Sequence, residues 1–467
     1  MPLLLRILRV FILMHSFAMS HGSCIAHLLP PLNKSHLLQS DIDPLIFALK
    51  DEPLVTVQLV GHSFEQRPIH LLTLGEGSIV IFAWTQMHGN EATATAAVFD
   101  LIDQLIENTH EPIKNWASMF TIHILPMLNP DGAQRCIRQN AQSIDINRDA
   151  RQLQTPEGQI LMRLVEQLSP DIAFNLHDQS SYYQCGTTAN PATIAFLAPA
   201  FDVDKTIDKS RERAMFLIAN MNETLQAHIP NCVARYDDTY SVRSFGDNIA
   251  AKKISTILIE SGAAKNDSNR QVARKMNVLA MLSALDYLMP GEVSPASTKN
   301  VQSADVSNYF AIPENIPETL SSLLIRNVTF AGTQPYTAGV SVKQTARYSN
   351  NFLVDFTGDL HSQAGLVDFD AQGLGYLRGK TFSPTQSMTF SNQSYIALLR
   401  KGYLHINDPQ GFITNISDYD IYRTTQPLHG KNAFILQQPA YCLFTDLKDP
   451  HRIVFAMLNG KLVSLTQ

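Results

Sequence analysis

The stretch that decides the fold is Ile79-Val80-Ile81-Phe82-Ala83-Trp84-Thr85-Gln86-Met87-His88-Gly89-Asn90-Glu91. Its apolar first half predicts a buried strand, and the segment over 92–106 predicts an amphipathic helix. His88 and Glu91 therefore lie where a strand ends and a helix begins, the usual ligand position in an open α/β sheet. An imidazole and a carboxylate at this spacing can share one cation with a distant third ligand. Alternatively, His88 is a surface histidine and Glu91 is a carboxylate favoured at a helix start.

Further apolar runs repeat this order of strand and helix along the chain. Strands are predicted at 55–60, 70–74, 120–128, 171–176, 192–197 and 256–260, and helices at 35–48, 159–168, 210–227 and 271–288. Strands and helices that alternate at this spacing imply right-handed crossovers. The predicted fold class is therefore α/β, with a mainly parallel mixed sheet covered by helices on both faces.

The composition changes after residue 290. Residues 291–306 are rich in Pro, Ser, Thr, Asn and Gln, as in a linker. Short runs at 323–330, 352–356, 395–406 and 453–458 then alternate with turn residues, which predicts a small all-β domain. The predicted organisation is a leader over 1–34, an α/β domain over 35–290, the linker, and the β domain over 307–467.

The leader resembles a secretory signal. Arg6 and Arg9 precede an apolar run, and small residues follow near Ala18-Met19-Ser20. This pattern predicts a secreted or periplasmic protein, and the alternative is an ordinary hydrophobic leader on a cytoplasmic one. No later segment is apolar enough to span a membrane.

The overall composition is that of a soluble globular protein, with 45% hydrophobic and 17% charged residues among 467. The formal net charge of -6 is mild for this length and gives no reason to propose nucleic acid as a partner. Five cysteines without C-x-x-C spacing indicate neither a zinc ribbon nor a dense disulfide framework.

Polar groups follow three more of the predicted strands. Guanidinium and amide groups come after the strand at 120–128 and its Asn129-Pro-Asp-Gly132 turn, His177 ends the next strand, and Glu260 ends a later one. Guanidinium groups suit a carboxylate or an oxyanion, although structural ion pairs are the alternative. Burying a carboxylate costs free energy, so a carboxylate at the end of an apolar strand is expected to be paired or functional. Polar groups at four strand ends together predict an active site.

These segments resemble the zinc metallocarboxypeptidases of the carboxypeptidase A type. The motifs that carry the resemblance are His-Gly-Asn-Glu, Asn-Pro-Asp-Gly, Arg-x-Asn-Ala with Asp-x-Asn-Arg-Asp, Asn-Leu-His and Ile-Glu-Ser-Gly, in the family's order. They cover roughly residues 50 to 290, and jointly they are specific.

The resemblance implies one zinc ion per chain and a set of residue roles. Three ligands leave zinc an open position for water, whose pKa falls to about 7 on the metal, so that a general base can take its proton. The implied zinc ligands are His88, Glu91 and His177. By the same resemblance, Glu260 is the general base and Arg138 stabilises the oxyanion. Asn147 and Arg148 would hold the substrate's terminal carboxylate, and Tyr240 is the nearest match to the family's tyrosine at the mouth of the site.

The expected reaction is hydrolysis of the C-terminal amide bond of a peptide. An N-acyl amino acid hydrolase of the succinylglutamate desuccinylase and aspartoacylase kind shares the zinc layout and is the alternative. Those enzymes usually follow their Asn-Arg with Phe-Pro-Gly, whereas Asp149-Ala150-Arg151 stands here, so the peptidase is favoured. A non-catalytic peptide-binding relative is the third alternative, and the filled catalytic positions disfavour it.

Overall fold

The structure is a computed structural model that describes residues 28–107, 113, 115–289, 306–345, 351–424 and 433–466. Most of the predicted leader and nearly all of the predicted linker over 291–306 lie outside these residues. Within them, no helix has the length and apolar character that a membrane crossing requires. The chain divides into two compact units: the first is Met1–Gln179, Cys185–Thr188 and Ala192–Asn315, and the second is Ser180–Gln184, Ala189–Pro191 and Ile316–Gln467.

The first unit alternates helices with strands. Its helices are α1 (Gln39–Leu49), α2 (Thr93–Glu107), α3 (Trp116–Met119), α4 (Pro130–Arg135), α5 (Pro156–Leu168), α6 (Lys209–Gln226), α7 (Phe245–Ala250), α8 (Gln271–Leu288) and α9 (Ser307–Phe310). Its strands are β1 (Val55–His62), β2 (Pro68–Leu74), β3 (Ile79–Trp84), β4 (Phe120–Leu125), β5 (Ile172–Asp178), β7 (Ile194–Leu197), β8 (Val233–Arg235) and β9 (Ser255–Ser261). Two further short strands, β6 (Gln184–Cys185) and β10 (Asn315–Ile316), each have one residue in the first unit.

The eight longer strands form one mixed sheet within the described part of the chain, in the order β1-β2-β4-β3-β5-β9-β7-β8. The central strands β4, β3, β5 and β9 are parallel. Antiparallel pairing joins β1 to β2, β2 to β4 and β7 to β9, and β8 is parallel to β7. The predicted mainly parallel mixed sheet is confirmed.

Successive residues of β3 pack into two different hydrophobic cores. Ile81 and Ala83 join a core that includes residues of α2, α6 and α8, whereas Phe82 and Trp84 join a core that includes residues of α5 and α7. Because side chains alternate along a strand, a strand covered on both faces is apolar at every position. This explains the unbroken apolar run in the sequence and confirms the prediction of helices on both faces.

The Asn129-Pro-Asp-Gly132 segment begins a helix, whereas the sequence predicted a turn. The Asn129 side-chain oxygen accepts a hydrogen bond from the Gly132 amide at 2.8 Å, and Pro130 occupies the first turn of α4. Asn caps helix starts well and Pro fits the first helical position, so the turn-forming residues here serve as a helix cap. Strand β4 accordingly ends at Leu125, before the predicted boundary at 128.

The second unit is rich in strands. They are β11 (Leu320–Phe330), β12 (Tyr336–Gln344), β13 (Phe352–Gly358), β14 (Ala364–Asp370), β15 (Leu374–Leu377), β16 (Lys380–Phe382), β17 (Tyr403–Ile406), β18 (Tyr422–Arg423), β19 (Cys442–Asp446), β20 (Ile453–Leu458) and β21 (Lys461–Ser464). Described strands form one sheet in the order β13-β12-β11-β15-β19-β20-β21, with β14 also paired to β11, and β16, β17 and β18 form another.

Helix α10 (Asn392–Arg400) interrupts the strands of the second unit. The predicted strand-like run over 395–406 is therefore wrong in its first half, and only its end lies in β17. Tyr395 and Leu399 are buried four residues apart, which places them on one face of a helix. The Ser391 hydroxyl accepts a hydrogen bond from the Ser394 amide at 3.1 Å and caps the helix start.

Candidate metal centre and catalytic residues

The three predicted metal ligands lie together at the carboxyl edge of the first unit's sheet. His88 and Glu91 lie between β3 and α2, and His177 lies near the end of β5, which pairs with β3. Their ligand atoms are all within 4.8 Å of one another. His177 Nδ1 is 2.8 Å from Glu91 Oε2 and 3.1 Å from His88 Nδ1, and His88 Nδ1 is 3.0 Å from Glu91 Oε1.

Gly89 allows the segment that carries His88 and Glu91 to pack against the start of α4. A Cβ added at Gly89 would lie 1.9 Å from the carbonyl carbon of Gly132, so any larger residue would push the two segments apart. The Asn129 side-chain amide also donates to the Met87 carbonyl at 3.1 Å. The His-Gly-Asn-Glu and Asn-Pro-Asp-Gly motifs are therefore in direct contact.

Two further groups fix the orientation of the cluster. Asp145 Oδ1 lies 3.1 Å from His88 Nε2, so His88 turns its Nδ1 atom toward the other two ligands. The backbone amide of Asp178 donates to Glu91 Oε2 at 3.1 Å. A carboxylate on the outer nitrogen of a ligating histidine is the usual support at metal sites. Asp145 is not among the predicted site residues, although the Asp-x-Asn-Arg motif contains it.

The electrostatics of the cluster favour positive charge. Burial alone would lower the pKa of His88, but the carboxylates of Glu91 and Asp145 raise it above its usual value. Burial would raise the pKa of Glu91, and the two histidines instead hold it well below its usual range. Burial lowers the pKa of His177 despite its contact with Glu91. Two carboxylates thus surround a buried site that can accept a proton or a cation.

The donor set fits a zinc ion. Two imidazole nitrogens and one carboxylate, contributed by an i, i+3 pair and a distant histidine, are common zinc ligands, and three protein ligands leave a position for water or substrate. The three side chains are almost completely buried, which is costly for polar groups that have no partner. A cation shared by these atoms would offset that cost, and it would also screen the two Nδ1 atoms that face each other.

Arg138 lies beside the cluster. Its Nε atom donates to Asp145 Oδ2 at 3.0 Å, and its Nη1 atom lies 3.1 Å from His88 Nδ1 and 3.5 Å from Glu91 Oε1. The Arg138 side chain is 38% exposed, so one side of the guanidinium faces solvent. A fixed cation in this position can bind a negative oxygen that approaches the metal ligands from outside.

Glu260 is adjacent to His177 across the sheet. The two residues are register partners in the parallel pairing of β5 with β9, so their side chains leave the same face of the sheet at the same level. Glu260 is 9% exposed. It is not among the three residues whose ligand atoms lie within 4.8 Å of one another.

Asn147 and Arg148 contact the segment that precedes β9. Asn147 Oδ1 accepts a hydrogen bond from the Phe245 amide at 2.9 Å, and Arg148 Nη1 donates to Ser244 Oγ at 3.2 Å. Nearby, burial raises the pKa of Asp247 to about 6, although the positive charge of Arg148 acts in the opposite direction. The structure thus brings an amide, a guanidinium and the start of α7 together.

Tyr240 lies in the segment without helix or strand between β8 and α7 and is half-buried. Among the described residues, no hydrogen bond or ring contact joins its side chain to the metal cluster. Its assignment as the tyrosine at the mouth of the site stays a prediction.

Comparison with known proteins gives matches to zinc carboxypeptidases. Residues 47–194 match the family model described as zinc carboxypeptidase. Carboxypeptidase B of Astacus astacus is 22% identical over 269 residues, which cover 56% of this chain and 84% of that protein. A metallo-carboxypeptidase from Burkholderia cenocepacia is similar in structure, with 18% identity, a TM-score of 0.45, and coverage of 54% of this chain and 69% of that one. A metallo-carboxypeptidase from Pseudomonas aeruginosa gives 17% identity, a TM-score of 0.42, and coverage of 55% and 70%.

Proposed function

The chain belongs to the zinc carboxypeptidase family through residues 47–194, and from this premise we propose that it hydrolyses the C-terminal amide bond of peptides with one bound zinc ion. The family predicted from the sequence motifs is confirmed, and the enzyme is a metallocarboxypeptidase. We assign the reaction to the α/β domain over 35–290.

The observation that supports the proposal most strongly is the convergence of His88, Glu91 and His177, with Glu260 next to His177. These residues come from three separate parts of the chain. Hydrolysis of an amide requires a polarised carbonyl, an activated water, and a base beside them. The polarised carbonyl and the activated water would depend on the metal. Glu260, which is not needed as a ligand, would be the base.

Zinc held by the three ligands would supply Lewis acidity and lower the pKa of water at the site. Glu260, the register partner of His177, would take the proton of the attacking water and pass it to the leaving amine. Arg138 would donate hydrogen bonds to the oxygen on which negative charge develops. Asp145 would hold both His88 and Arg138 in place through its two oxygens.

The terminal carboxylate of the substrate would bind at Asn147 and Arg148. Arg148 is a fixed cation whose donors suit a carboxylate, and its contact with Ser244 holds it near the start of α7. Tyr240 is the candidate for closing the mouth of the site. The expected substrate is an extracellular or periplasmic peptide, in keeping with the predicted secretory leader.

The test is a hydrolysis assay with the zinc-loaded full chain. N-blocked dipeptides with a free C-terminal carboxylate should be cleaved, and the same dipeptides with a C-terminal amide should be cleaved poorly because Arg148 has no carboxylate to bind. N-succinyl and N-acetyl amino acids serve as the second substrate set. Faster cleavage of those compounds than of every dipeptide would overturn the proposal in favour of an N-acyl amino acid hydrolase.

A further inference from the structure

A cleft with a volume of about 710 Å³ lies in the second unit, along strands β11, β12 and β13. This volume is within the usual range for pockets that bind small molecules or segments of a polymer. Its lining combines aromatic rings with hydroxyl, amide, imidazole and carboxylate groups, so it is neither a purely apolar groove nor a charged one.

An exposed aromatic ring forms one wall of the cleft. Tyr336 is 52% exposed, and its ring stacks on Phe330 with a centroid distance of 4.7 Å and an angle of 10°. Phe330 is buried, and Phe434 packs edge-on against it at 6.0 Å. The outer face of Tyr336 is therefore a flat apolar surface whose orientation is already fixed, so little conformational entropy is lost when a ligand binds to it.

Two glycines form part of the cleft floor. Gly339 and Gly358 are register partners in the antiparallel pairing of β12 with β13. Gly358 has a φ of +143°, a conformation that favours glycine. Glycine in a strand weakens it and is typical of sites where another molecule approaches the backbone. Both glycines line the cleft, and a Cβ added at Gly339 would lie 3.2 Å from Leu360.

A β-bulge shapes the third side of the cleft. The register between β11 and β12 shifts between Ile325 and Val328, and Asn327 has a left-handed φ of +58°. Bulges redirect side chains and are frequent next to functional sites. Asn327 Nδ2 donates to Asp370 Oδ1 at 2.8 Å, which holds this bent segment at the edge of the cleft.

The charge of the cleft excludes polyanions as its natural occupants. Arg326 is the single Lys or Arg among the described lining residues. Its guanidinium donates to both oxygens of Asp368, at 2.9 and 2.8 Å, and to the carbonyls of Leu360 and Gln363. The hydrogen-bond donors of Arg326 are therefore occupied by protein groups. No other lysine or arginine among the described lining residues could bind phosphate or sulfate groups.

We propose that this cleft binds a neutral carbohydrate chain. A pyranose ring has an apolar C–H face, which would stack on Tyr336, and a rim of hydroxyl groups, which would exchange hydrogen bonds with Thr357, Asp359 and His361. These three polar residues lie on one strand end and its following turn, so they present donors and acceptors in a row. The combination of a fixed aromatic face with a row of hydroxyl, carboxylate and imidazole groups matches a sugar better than it matches a nucleic acid.

Affinity electrophoresis of the full chain would test the proposal. Native gels would contain a soluble neutral polysaccharide, either laminarin, xylan, galactomannan or glycol chitin, and parallel gels would contain heparin as a polyanion. We expect at least one neutral polysaccharide to retard the wild-type chain. Tyr336→Ala should weaken that binding about tenfold through the loss of the stacking face, whereas Tyr336→Phe should bind like the wild type.

Phe47→Ala is the matched control, because Phe47 is an aromatic side chain that is 69% exposed and belongs to the first unit. This variant should migrate like the wild type in every gel. If Tyr336→Ala has an altered melting temperature, Thr357→Val replaces it, since this change removes a hydroxyl group and nearly preserves shape. The proposal is overturned if the wild-type chain is retarded only by heparin, or by none of the four neutral polysaccharides. It is also overturned if Tyr336→Ala or Thr357→Val remains folded and is retarded as strongly as the wild type.

Discussion

His177 and Glu260 are register partners on the neighbouring parallel strands β5 and β9. A proposed metal ligand and the proposed general base therefore leave the sheet on the same face and at the same level. This relationship separates the two roles in space, because His177 turns toward Glu91 and His88 while Glu260 remains beside them. It also places both side chains on strands that are buried along their whole length.

Replacement of the proposed base should separate chemistry from metal binding. Glu260→Gln preserves shape but cannot accept a proton, so we expect kcat to fall about 10²–10⁴-fold while one zinc per chain is retained. Dipeptide hydrolysis and metal analysis of the same preparation would measure both. Glu314→Gln is the control, because the Glu314 side chain is 66% exposed. Turnover close to the wild-type rate in Glu260→Gln would exclude Glu260 as the base.

Loss of one imidazole should empty the metal site. We expect His88→Ala to be purified with far less zinc than the wild type, because two remaining ligands bind zinc poorly. His123→Ala is a suitable control, since His123 is a histidine of the same sheet that bonds to Thr73 instead of the cluster. An unchanged zinc content in His88→Ala would refute the ligand assignment.

Asp145 should tune metal affinity without being a ligand. It bonds to His88 Nε2 at 3.1 Å and to Arg138 Nε at 3.0 Å. Asp145→Asn is expected to weaken zinc affinity about 10–100-fold, as is typical when the partner of a ligating histidine is altered. Competition with a fluorescent chelator would measure the change, and Asp204→Asn, at an exposed carboxylate, provides the control. Equal affinity in both variants would leave Asp145 with a structural role alone.

Asn140 should maintain the loop that joins Arg138 to Asp145. Its side-chain oxygen accepts hydrogen bonds from the amides of Gln142 and Ile144 at 3.0 and 3.1 Å, and its Nδ2 donates to buried Glu157 at 3.0 Å. Asn140→Ala leaves these groups without partners, so we expect a loss of about 1–3 kcal/mol in stability. We also expect a lower kcat/KM for dipeptides, because the loop positions Arg138. Full kcat/KM in this variant would contradict that positioning role.

Asp247 should make stability depend on pH. Burial raises its pKa to about 6, whereas an unfolded aspartate titrates near about 4. The Asp247 carboxyl group therefore binds its proton more tightly in the native state than in the unfolded state. Its contribution to the free energy of unfolding falls as the pH rises from about 4 to about 6. The stabilising effect of Asp247→Asn is expected to be about 1–3 kcal/mol larger at pH 7.5 than at pH 4.

Urea unfolding in the presence of a chelator would measure this difference. The chain has two tryptophans, Trp84 and Trp116, and both belong to the first unit, so their fluorescence reports on the unit that contains Asp247. Asp204→Asn, at an exposed carboxylate of the same unit, should have no such pH dependence. A constant effect of Asp247→Asn across this pH range would contradict the raised pKa.

The sheet and its buried strands could be predicted because their sequence pattern has a direct physical cause. The run over 79–84 is apolar at every position since both of its faces are covered, and the strands that carry His177 and Glu260 are buried along their whole length. Short segments were harder to predict. Asn129 and Pro130 favour both a turn and a capped helix, and the contact with Gly89 that accompanies the helix cannot be read from local sequence.

The candidate site could be predicted as a set of residues, but its supporting contacts could not. The bond between His88 and Asp145 joins residues far apart in the chain, and no periodicity relates them. The cleft of the second unit was also missed, because it depends on the register that pairs Gly339 with Gly358 and on a bulge near Asn327. Neither feature has a motif of its own.

The alternation of side chains along β5 makes the candidate metal site sensitive to the number of residues in this strand. Phe174 and Leu176 belong to one core, while His177 leaves the opposite face of the strand. A deletion or insertion of one residue within β5 would rotate the imidazole into the apolar layer and expose a leucine or phenylalanine to the ligands. A change of one residue near the start of β5 would leave the sequence motifs intact but would remove the imidazole from the proposed ligand set. We therefore expect homologues to differ in loop length but not in the length of β5.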